Sequence, residues 1–396
     1  ARRSLAATAA IPLLWNAMMS FGGGWFFVSA SEAISVLNQH YTLPGLGSYV
    51  AAAVAAKDLR ALGWAIVTMA VVIVLVDQLF WKPLVAWSDR FRLELSSGGE
   101  APQSWVYDLL RSARIPKLVG AGLAPLQGWL DRVLSGLLGP VNDEESEPQG
   151  SPGDRWFNLS LLLVLAALLS VLMHFILVTV GPGEVLQALL MGVHTLVRVT
   201  ILLALASVIW TPIGVAIGFQ PRLARLLQPL VQLLASFPAN FMFPLATLVF
   251  LHAHVPIGWG AILLMALGAQ WYILFNSIAG AQMIPTDLRE MADDVGLRGW
   301  QRWRRLIIPG IFSAWVTGGV TASGGAWNAS ILAEVVSWGD TTLRADGLGA
   351  YIAAATQTGD WPRIALGIGM MSLFVVGLNQ LVWRRLYDLA ERRYHL

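Results

Sequence analysis

The chain has 396 residues, of which 56% are hydrophobic and 13% charged, against roughly 45–50% apolar and 25% charged in an ordinary soluble domain; lipid is therefore the solvent for much of its surface. A net charge of +2 offers no basic stripe for a nucleic-acid partner. The absence of cysteine excludes disulfides, thiolate metal sites and cysteine nucleophiles.

The first residues, Ala1 to Ile11, lack the charged, apolar and small-residue sequence of a secretory signal. A helix needs about 20 apolar residues to cross the hydrocarbon core. Eight stretches qualify, at about residues 11–36, 60–81, 156–180, 190–219, 227–251, 257–280, 311–336 and 363–384. The expected fold is thus an all-α polytopic membrane protein with about eight transmembrane helices.

Short loops rich in Lys and Arg stay in the cytoplasm. Arg2 and Arg3, Lys82 with Arg90 and Arg92, Arg222 with Arg225, Arg298 to Arg305, and Arg384 to Arg393 all fall on one side of an eight-span arrangement. Both termini are expected to be cytoplasmic. The opposite segments, around 37–59, 181–189, 252–256 and 337–362, read as outer loops. Residues 82–155 are too polar to cross and close with the acidic Ser/Pro/Gly run Asn142 to Gly153, which reads as a cytoplasmic linker. Within it, Trp105 to Arg111 and Leu123 to Leu138 have amphipathic helical spacing, suited to a linker helix or to the membrane surface.

An internal repeat is the most informative pattern. At an offset of 302 residues, Gly23, Trp25 and Glu32 fall on Gly325, Trp327 and Glu334, and Gly45-Leu46-Gly47-Ser48-Tyr49 falls on Gly347-Leu348-Gly349-Ala350-Tyr351. Asp58, Gln78, Trp81 and Lys82 then fall on Asp360, Gln380, Trp383 and Arg384. One offset held through two spans and their loop indicates duplicated domains in the same orientation. The expected division is 1–81 as the end of a first repeat, 82–155 as linker and 156–396 as a second repeat of six spans, so the matching beginning of the first repeat is expected upstream.

Between the sixth and seventh spans, within 283–310, a charged segment Asp287 to Val295 is followed by Gly296, a basic segment to Leu306 and then Ile307-Ile308-Pro309. Glu290, Ala292, Gly296 and Pro309 stand in a pattern that resembles the "EAA" loop of binding-protein-dependent ABC importer permeases, with Met291 in place of the central Ala. Gln228-Pro229-Leu230, Ser236-Phe237-Pro238-Ala239-Asn240 and Phe243-Pro244 resemble the nitrate/sulfonate/taurine-type permeases, and the linked copies resemble their duplicated anion-transport branch. The resemblance implies a type I (MetI-like) transmembrane fold in tandem repeats and a bacterial inner membrane location. It also implies a coupling helix with Leu297 and Arg298 beside the Gly296 turn, two copies of a cytoplasmic ABC ATPase holding ATP and Mg, and an external substrate-binding protein. The solute would be a small anion such as nitrate, sulfonate, taurine or bicarbonate.

No Gly-rich phosphate loop ending in Lys-Ser or Lys-Thr occurs, so the chain is not expected to bind ATP or to be an enzyme by itself. Candidates along the pathway are Arg198, an ionisable group within the fourth span, with His194 one turn earlier; Asn240 between Pro238 and Pro244; and Gln270, Asn276, Ser277 and Asn328. The plainer alternatives are that the span begins later and Arg198 snorkels outward, that His194 is a satisfied polar residue, and that the others make hydrogen bonds between helices. Glu32 and Glu334, equivalent in the two repeats, read as architectural. His252 and His254 have no third ligand nearby, so no metal is expected. An ion-coupled secondary transporter is the competing reading, although it would carry acidic residues mid-span.

Overall fold

The computed structural model describes residues 21–36, 39–88 and 181–393, with residue 17 and most positions from 159 to 180. The amphipathic stretches at 105–138, the acidic run and much of the spans expected at 11–36 and 156–180 lie outside the described residues. By its contacts the chain groups into two units, Ala1–Asn16 with Val74–Phe175, and Ala17–Ile73 with Ile176–Leu396. In the first unit, the end of helix α2 (Leu59–Val76) passes through a π-helical turn at Asp77–Trp81 into α3 (Lys82–Ser88), so the helix runs one to two turns beyond the boundary expected at residue 81.

The second unit opens with a helical stretch over 21–31, a hairpin of β1 (Ala33–Val36) and β2 (Gln39–Thr42), and helices α1 (Leu46–Ala55) and α2. It resumes with α4 (Pro182–Gly218), α5 (Pro221–Ser236), a 3₁₀ turn at Ala239–Phe241, α6 (Phe243–Ala253) and α7 (Ile257–Met283). Helices α8 (Thr286–Asp294) and α9 (Gly299–Arg302) follow, then a π-helical turn at Trp303–Ile307 leading into α10 (Ile308–Ala333). A second hairpin, β3 (Val335–Trp338) and β4 (Thr341–Arg344), precedes α11 (Leu348–Thr358), α12 (Trp361–Leu378), a π-helical turn at Asn379–Trp383 and α13 (Arg384–Arg393).

Among the described residues five helices are long and apolar enough to cross a membrane: Leu59–Trp87, Pro182–Gly218, Ile257–Met283, Gly299–Ala333 and Trp361–Arg393. The span expected at 227–251 is not one helix. Phe237 is extended ahead of Pro238, which ends α5, and Pro244 sits in the first turn of α6. A residue before proline is pushed out of the helical region, and proline is tolerated at a helix start, where its missing N–H is not needed. The segments at 37–59 and 337–362, expected as outer loops, also hold more than loop, since each contains hairpin and a short apolar helix.

The repeat is exact in the backbone. Displacing β1, β2, the starts of α1 and α2 and the π-helical turn at Asp77–Trp81 by 302 residues lands on β3, β4, the starts of α11 and α12 and the turn at Asn379–Trp383. Lys57 and Gly359, equivalent positions between the paired helices, both have left-handed φ, 56° and 71°. The next residue then caps the following helix in each copy: Asp58 Oδ1 accepts from Arg60 N at 2.9 Å, and Asp360 Oδ1 from Arg363 N at 3.2 Å.

Packing between the copies is reciprocal, because α1 touches β3 while α11 touches β1. At the first of these contacts Gly339 N donates to Val54 O at 3.1 Å, and Lys57 Nζ lies 2.8 Å from Asp340 Oδ2. Hydrogen bonding to that ammonium holds the exposed Asp340 carboxyl below the usual carboxylate range. Beneath it, Val50, Ala53, Leu62 and Met69 of the first copy are buried with Phe241 and Trp338 of the second.

Helix α7 is the centre of the second copy. Lipid supplies no hydrophobic drive between apolar helices, so close approach must come from small residues. Gly214 and Gly218, one turn apart on α4, meet Ser277 and Ala281 of α7, where an added Cβ would lie 2.6 and 2.7 Å from their Cβ atoms. On the other side Gly280 meets Ala314 and Gly318 meets Asn276, at 2.8 Å each by the same measure. Overpacking a well-filled interface costs roughly 1–3 kcal/mol. Gly218→Leu is therefore expected to lower the unfolding temperature of the detergent-purified protein, whereas Gly369→Leu, on α12 with open space around it, leaves it unchanged.

Candidate functional site

The loop between α7 and α10 is built as two short helices around a glycine turn. Helix α8 ends in a paired-bond cap: Leu297 N donates to Ala292 O at 2.8 Å and Gly296 N to Asp293 O at 3.0 Å, with Gly296 at φ 74°. That left-handed position, closing the last turn of a helix, is one that glycine fills without strain. Arg298 is extended, Gly299 is again left-handed and α9 starts a new direction. Pro309 lies in the first turn of α10.

Two cations fasten this loop to the end of α4. Arg289 and Arg302 sit over the Phe219 ring, 5.2 and 5.9 Å from its centroid, and Arg302 Nη1 is 2.6 Å from Asp293 Oδ1. Ala292 is buried, which fixes which face of α8 looks inward. Exposed along the loop are Glu290 and Met291 of α8, Val295 and Arg298 of the turn, and Trp300 of α9, with Met291, Val295 and Trp300 57%, 71% and 70% exposed. Three large apolar side chains rimmed by charge, on a rigidly capped turn, have the make-up of a protein-docking surface.

A second polar centre lies at the opposite end of α10. Glu334 directly follows that helix and has no exposed surface. Its Oε1 accepts from Thr195 Oγ1 and from Arg198 Nη1, each at 2.8 Å. Its Oε2 accepts from Gly349 N at 2.8 Å and Ala350 N at 3.2 Å. Leu348 N donates to Thr195 Oγ1 at 2.9 Å, so the first N–H groups of α11, which have no partner inside the helix, are all accounted for. Arg198 Nε completes the set by donating to Gly258 O at 3.2 Å. One carboxylate thus ties α4, α7, α10 and α11 together, and a side chain at Gly347 would occupy its place. Arg198, a pathway candidate from the sequence, is ion-paired with Glu334 at 2.8 Å.

The remaining predicted residues are dispersed. His194 and Asn328 are exposed. Half-buried Gln270 accepts at Oε1 from Trp210 Nε1 of α4 at 2.9 Å, a contact between helices, whereas half-buried Asn276 donates Nδ2 to Tyr272 O of its own helix at 2.8 Å. Ser277 Oγ is buried with no hydrogen-bond partner among the described residues. Asn240, in the break between α5 and α6, donates to Ser29 Oγ of the first copy at 3.0 Å, which puts it on the boundary of the repeats. Tyr272 belongs there too: its ring lies against Gly325 and its hydroxyl near Gly23, 3.4 and 3.6 Å from a Cβ built at each. Those glycines are equivalent in the repeat, the signal that could have singled out Tyr272, whose partners lie far away in sequence.

Residues 210–395 match the family model described as the binding-protein-dependent transport system inner membrane component. The chain is similar to a putative ABC transporter permease protein of Methanocaldococcus jannaschii, 25% identical over 60% of this chain and 82% of that protein. It is 29% identical to the nitrate import permease protein NrtB of Synechococcus elongatus over 48% of this chain and 65% of that one. The bicarbonate transport system permease protein CmpB of Synechocystis is 30% identical over 42% of this chain and 56% of its own length. The chain therefore spans somewhat under two thirds of the nitrate and bicarbonate permeases that it matches.

Removing one member of a buried ion pair leaves the other uncompensated, at a cost of roughly 3–5 kcal/mol. Arg198→Leu and Glu334→Gln should each lower the unfolding temperature sharply. The double variant Arg198→Leu/Glu334→Gln is expected to recover part of the loss in the same detergent melt, giving a non-additive cycle.

Proposed function

We propose that this chain, whose residues 210–395 match the model of the binding-protein-dependent transport system inner membrane component, belongs to that family and is the translocating subunit of an ABC importer that moves a small anion into the cytoplasm. The observation that carries the reading is the capped α8–α9 turn, with Met291, Val295 and Trp300 presented outward and its base pinned to α4 through Phe219. A rigid apolar knob joined to the core helices can pass the closure of an ATPase dimer to the spans as a rigid-body movement.

In this reading residues 283–310 are the coupling loop, with Glu290, Arg298 and Leu297 beside the Gly296 turn. Two copies of an ABC ATPase bind ATP and Mg, one copy per repeat, and an external binding protein delivers the solute on the face opposite the loop. The basic segments and both termini are cytoplasmic. Residues 1–81 are the end of one permease repeat, 82–155 the linker and 156–396 the second repeat.

The pathway follows the boundary of the repeats. Arg198 is neutralised by Glu334, so an anion would meet neutral donors there: the Tyr272 hydroxyl and the Asn240 amide, with Asn276 and Ser277 one turn farther along α7. Neutral donors suit weak, reversible binding, which alternating access requires. Nitrate and bicarbonate enter as the substrates named for the similar permeases.

Two experiments test the reading. Val295→Glu and Trp300→Glu alter exposed positions, so the fold should survive; loss of a docking anchor of about 2 kcal/mol or more should reduce co-purification of the neighbouring ATPase and ATP hydrolysis in proteoliposomes by at least about tenfold. An ATPase that stays bound to both variants removes the coupling assignment. Tyr272→Phe deletes one hydroxyl and is expected to lower uptake of labelled nitrate or bicarbonate severalfold while leaving ATPase co-purification intact.

A further inference from the structure

We propose that one face of α10, marked by Ser313, Thr317, Thr321, Gly324 and Asn328, is the wet wall along which the solute crosses the membrane. This deepens the transport function given above and rests on it.

Helix α10 is apolar in composition and carries no charged residue, yet its surface is the reverse of a lipid-facing one. Its exposed positions are Ser313, Thr317 and Asn328, and no apolar side chain of the helix is exposed. Half-buried Thr321 and Gly324 lie between them. At 3.6 residues per turn the five positions fall within an arc of roughly 80° and run for roughly 22 Å, much of a hydrocarbon core about 30 Å thick. Other long helices expose what lipid favours, Val208 and Ile209 on α4 and Leu373 and Val376 on α12.

The remaining faces of α10 are packed. Gly318 and Gly325 lie against Asn276 and Tyr272 of α7, Gly319 lies against Trp383, and Trp327 stacks on Phe374 of α12 with 5.9 Å between centroids. Thr317 and Gly324 directly precede Gly318 and Gly325, so the polar face borders the α7 contact where Tyr272 and Asn276 stand. Thr317 and Thr321 donate their hydroxyl hydrogens to Ser313 O and Thr317 O at 3.1 and 2.9 Å. Neither therefore needs a neighbouring helix. Because a hydroxyl rotates to suit its partner, each is satisfied when no solute is beside it and able to donate when one arrives. Asn328 is exposed and, among the described residues, its side chain has no hydrogen bond. An amide left so in hydrocarbon is costly; water or a solute must reach it.

The architecture does not call for polar side chains at these positions. At the displacement of 302, Ser313, Thr317, Thr321 and Asn328 correspond to Ile11, Trp15, Met19 and Phe26, while Gly324 corresponds to Gly22. The repeat keeps the glycine and has an apolar residue at each of the others, so the hydroxyl and amide row is peculiar to the second repeat. Neutral groups about one helical turn apart offer an anion successive weak hydrogen bonds, with no fixed cation on the helix to hold it.

The chain has no cysteine, so single thiols can be introduced on a silent background. Thr317→Cys, Thr321→Cys and Asn328→Cys are made in the full chain, reconstituted with its ATPase in proteoliposomes and treated with a charged, water-soluble methanethiosulfonate. Val208→Cys and Leu373→Cys, at positions 73% and 62% exposed, serve as lipid-facing comparisons. Reaction needs a hydrated thiolate, so the three row positions should react at least about tenfold faster than the comparisons. Each unlabelled variant should keep the wild-type melt, and labelling at 317 or 321 should abolish uptake of labelled nitrate or bicarbonate until a reductant removes the adduct. Reaction of the row at the comparison rate overturns the proposal, and so does full labelling that leaves uptake unchanged. A complex that takes up neither anion before labelling removes the substrate reading, and the relative reactivities then decide the wet face alone.

Discussion

A carboxylate buried at the end of a membrane span organises the part of this protein opposite the α8–α9 loop. Glu334 could not remain ionised there alone, since the cost of removing its charge from water exceeds what helix packing returns. It is made tolerable by one guanidinium, one hydroxyl and two backbone N–H groups, and those donors come from α4 and α11, elements brought together only by the tertiary fold. Because the N–H groups are those that α11 cannot satisfy internally, the same carboxylate permits that short helix to begin inside the protein. The glycines at 347 and 349 follow from this arrangement, for a side chain at either would strike the carboxylate or the backbone of the preceding helix.

The other half of the structure depends on close approach at small residues, with the Trp210–Gln270 hydrogen bond between α4 and α7 beside it. Helix α7 has α4 on one side and α10 on the other, each held at glycine–small-residue contacts, so the loop that leaves α7 and enters α10 inherits a defined position. Phe219, at the end of α4, then receives two arginines from that loop. Loop and core helices are in this way joined at Phe219, and the three apolar side chains lie exposed on the loop. A flexible loop with the same residues could bind a partner but would transmit little movement.

The duplication gives the molecule a built-in comparison. Hairpin, paired helices, left-handed corner and π-helical turn recur at one displacement, and the copies engage each other reciprocally through helix and hairpin. Differences between them are then informative, because the backbone is held constant. Trp64 is exposed where Leu366 is buried, and among the described residues Glu32 has no ion pair like that of Glu334 with Arg198. Asn240 and Tyr272 reach Ser29 and Gly23 of the first repeated segment.

Much of this was legible in the residues. Hydropathy and the positions of arginine were enough for an α-helical membrane protein, since the bilayer demands long apolar runs and closed backbone hydrogen bonds. The displacement of 302 was visible because Gly, Trp and Glu at constrained positions tolerate little change, and Gly296 stood out because a left-handed helix end favours glycine. Proline chemistry likewise foretold a break near Asn240, though not that α5 and α6 would be separate helices in place of one span. Pairing was not legible. Arg198 and Glu334 lie 2.8 Å apart but far apart in sequence, and nothing in either neighbourhood reveals whether a charge in a span faces solute, water or another charge. Local propensity and solvent preference act on neighbours along the chain, so the sequence by itself determined the helices, their repeat and the capped turn; which polar groups satisfy one another, and which remain available, depends on distances across the bundle and was decided only by the tertiary structure.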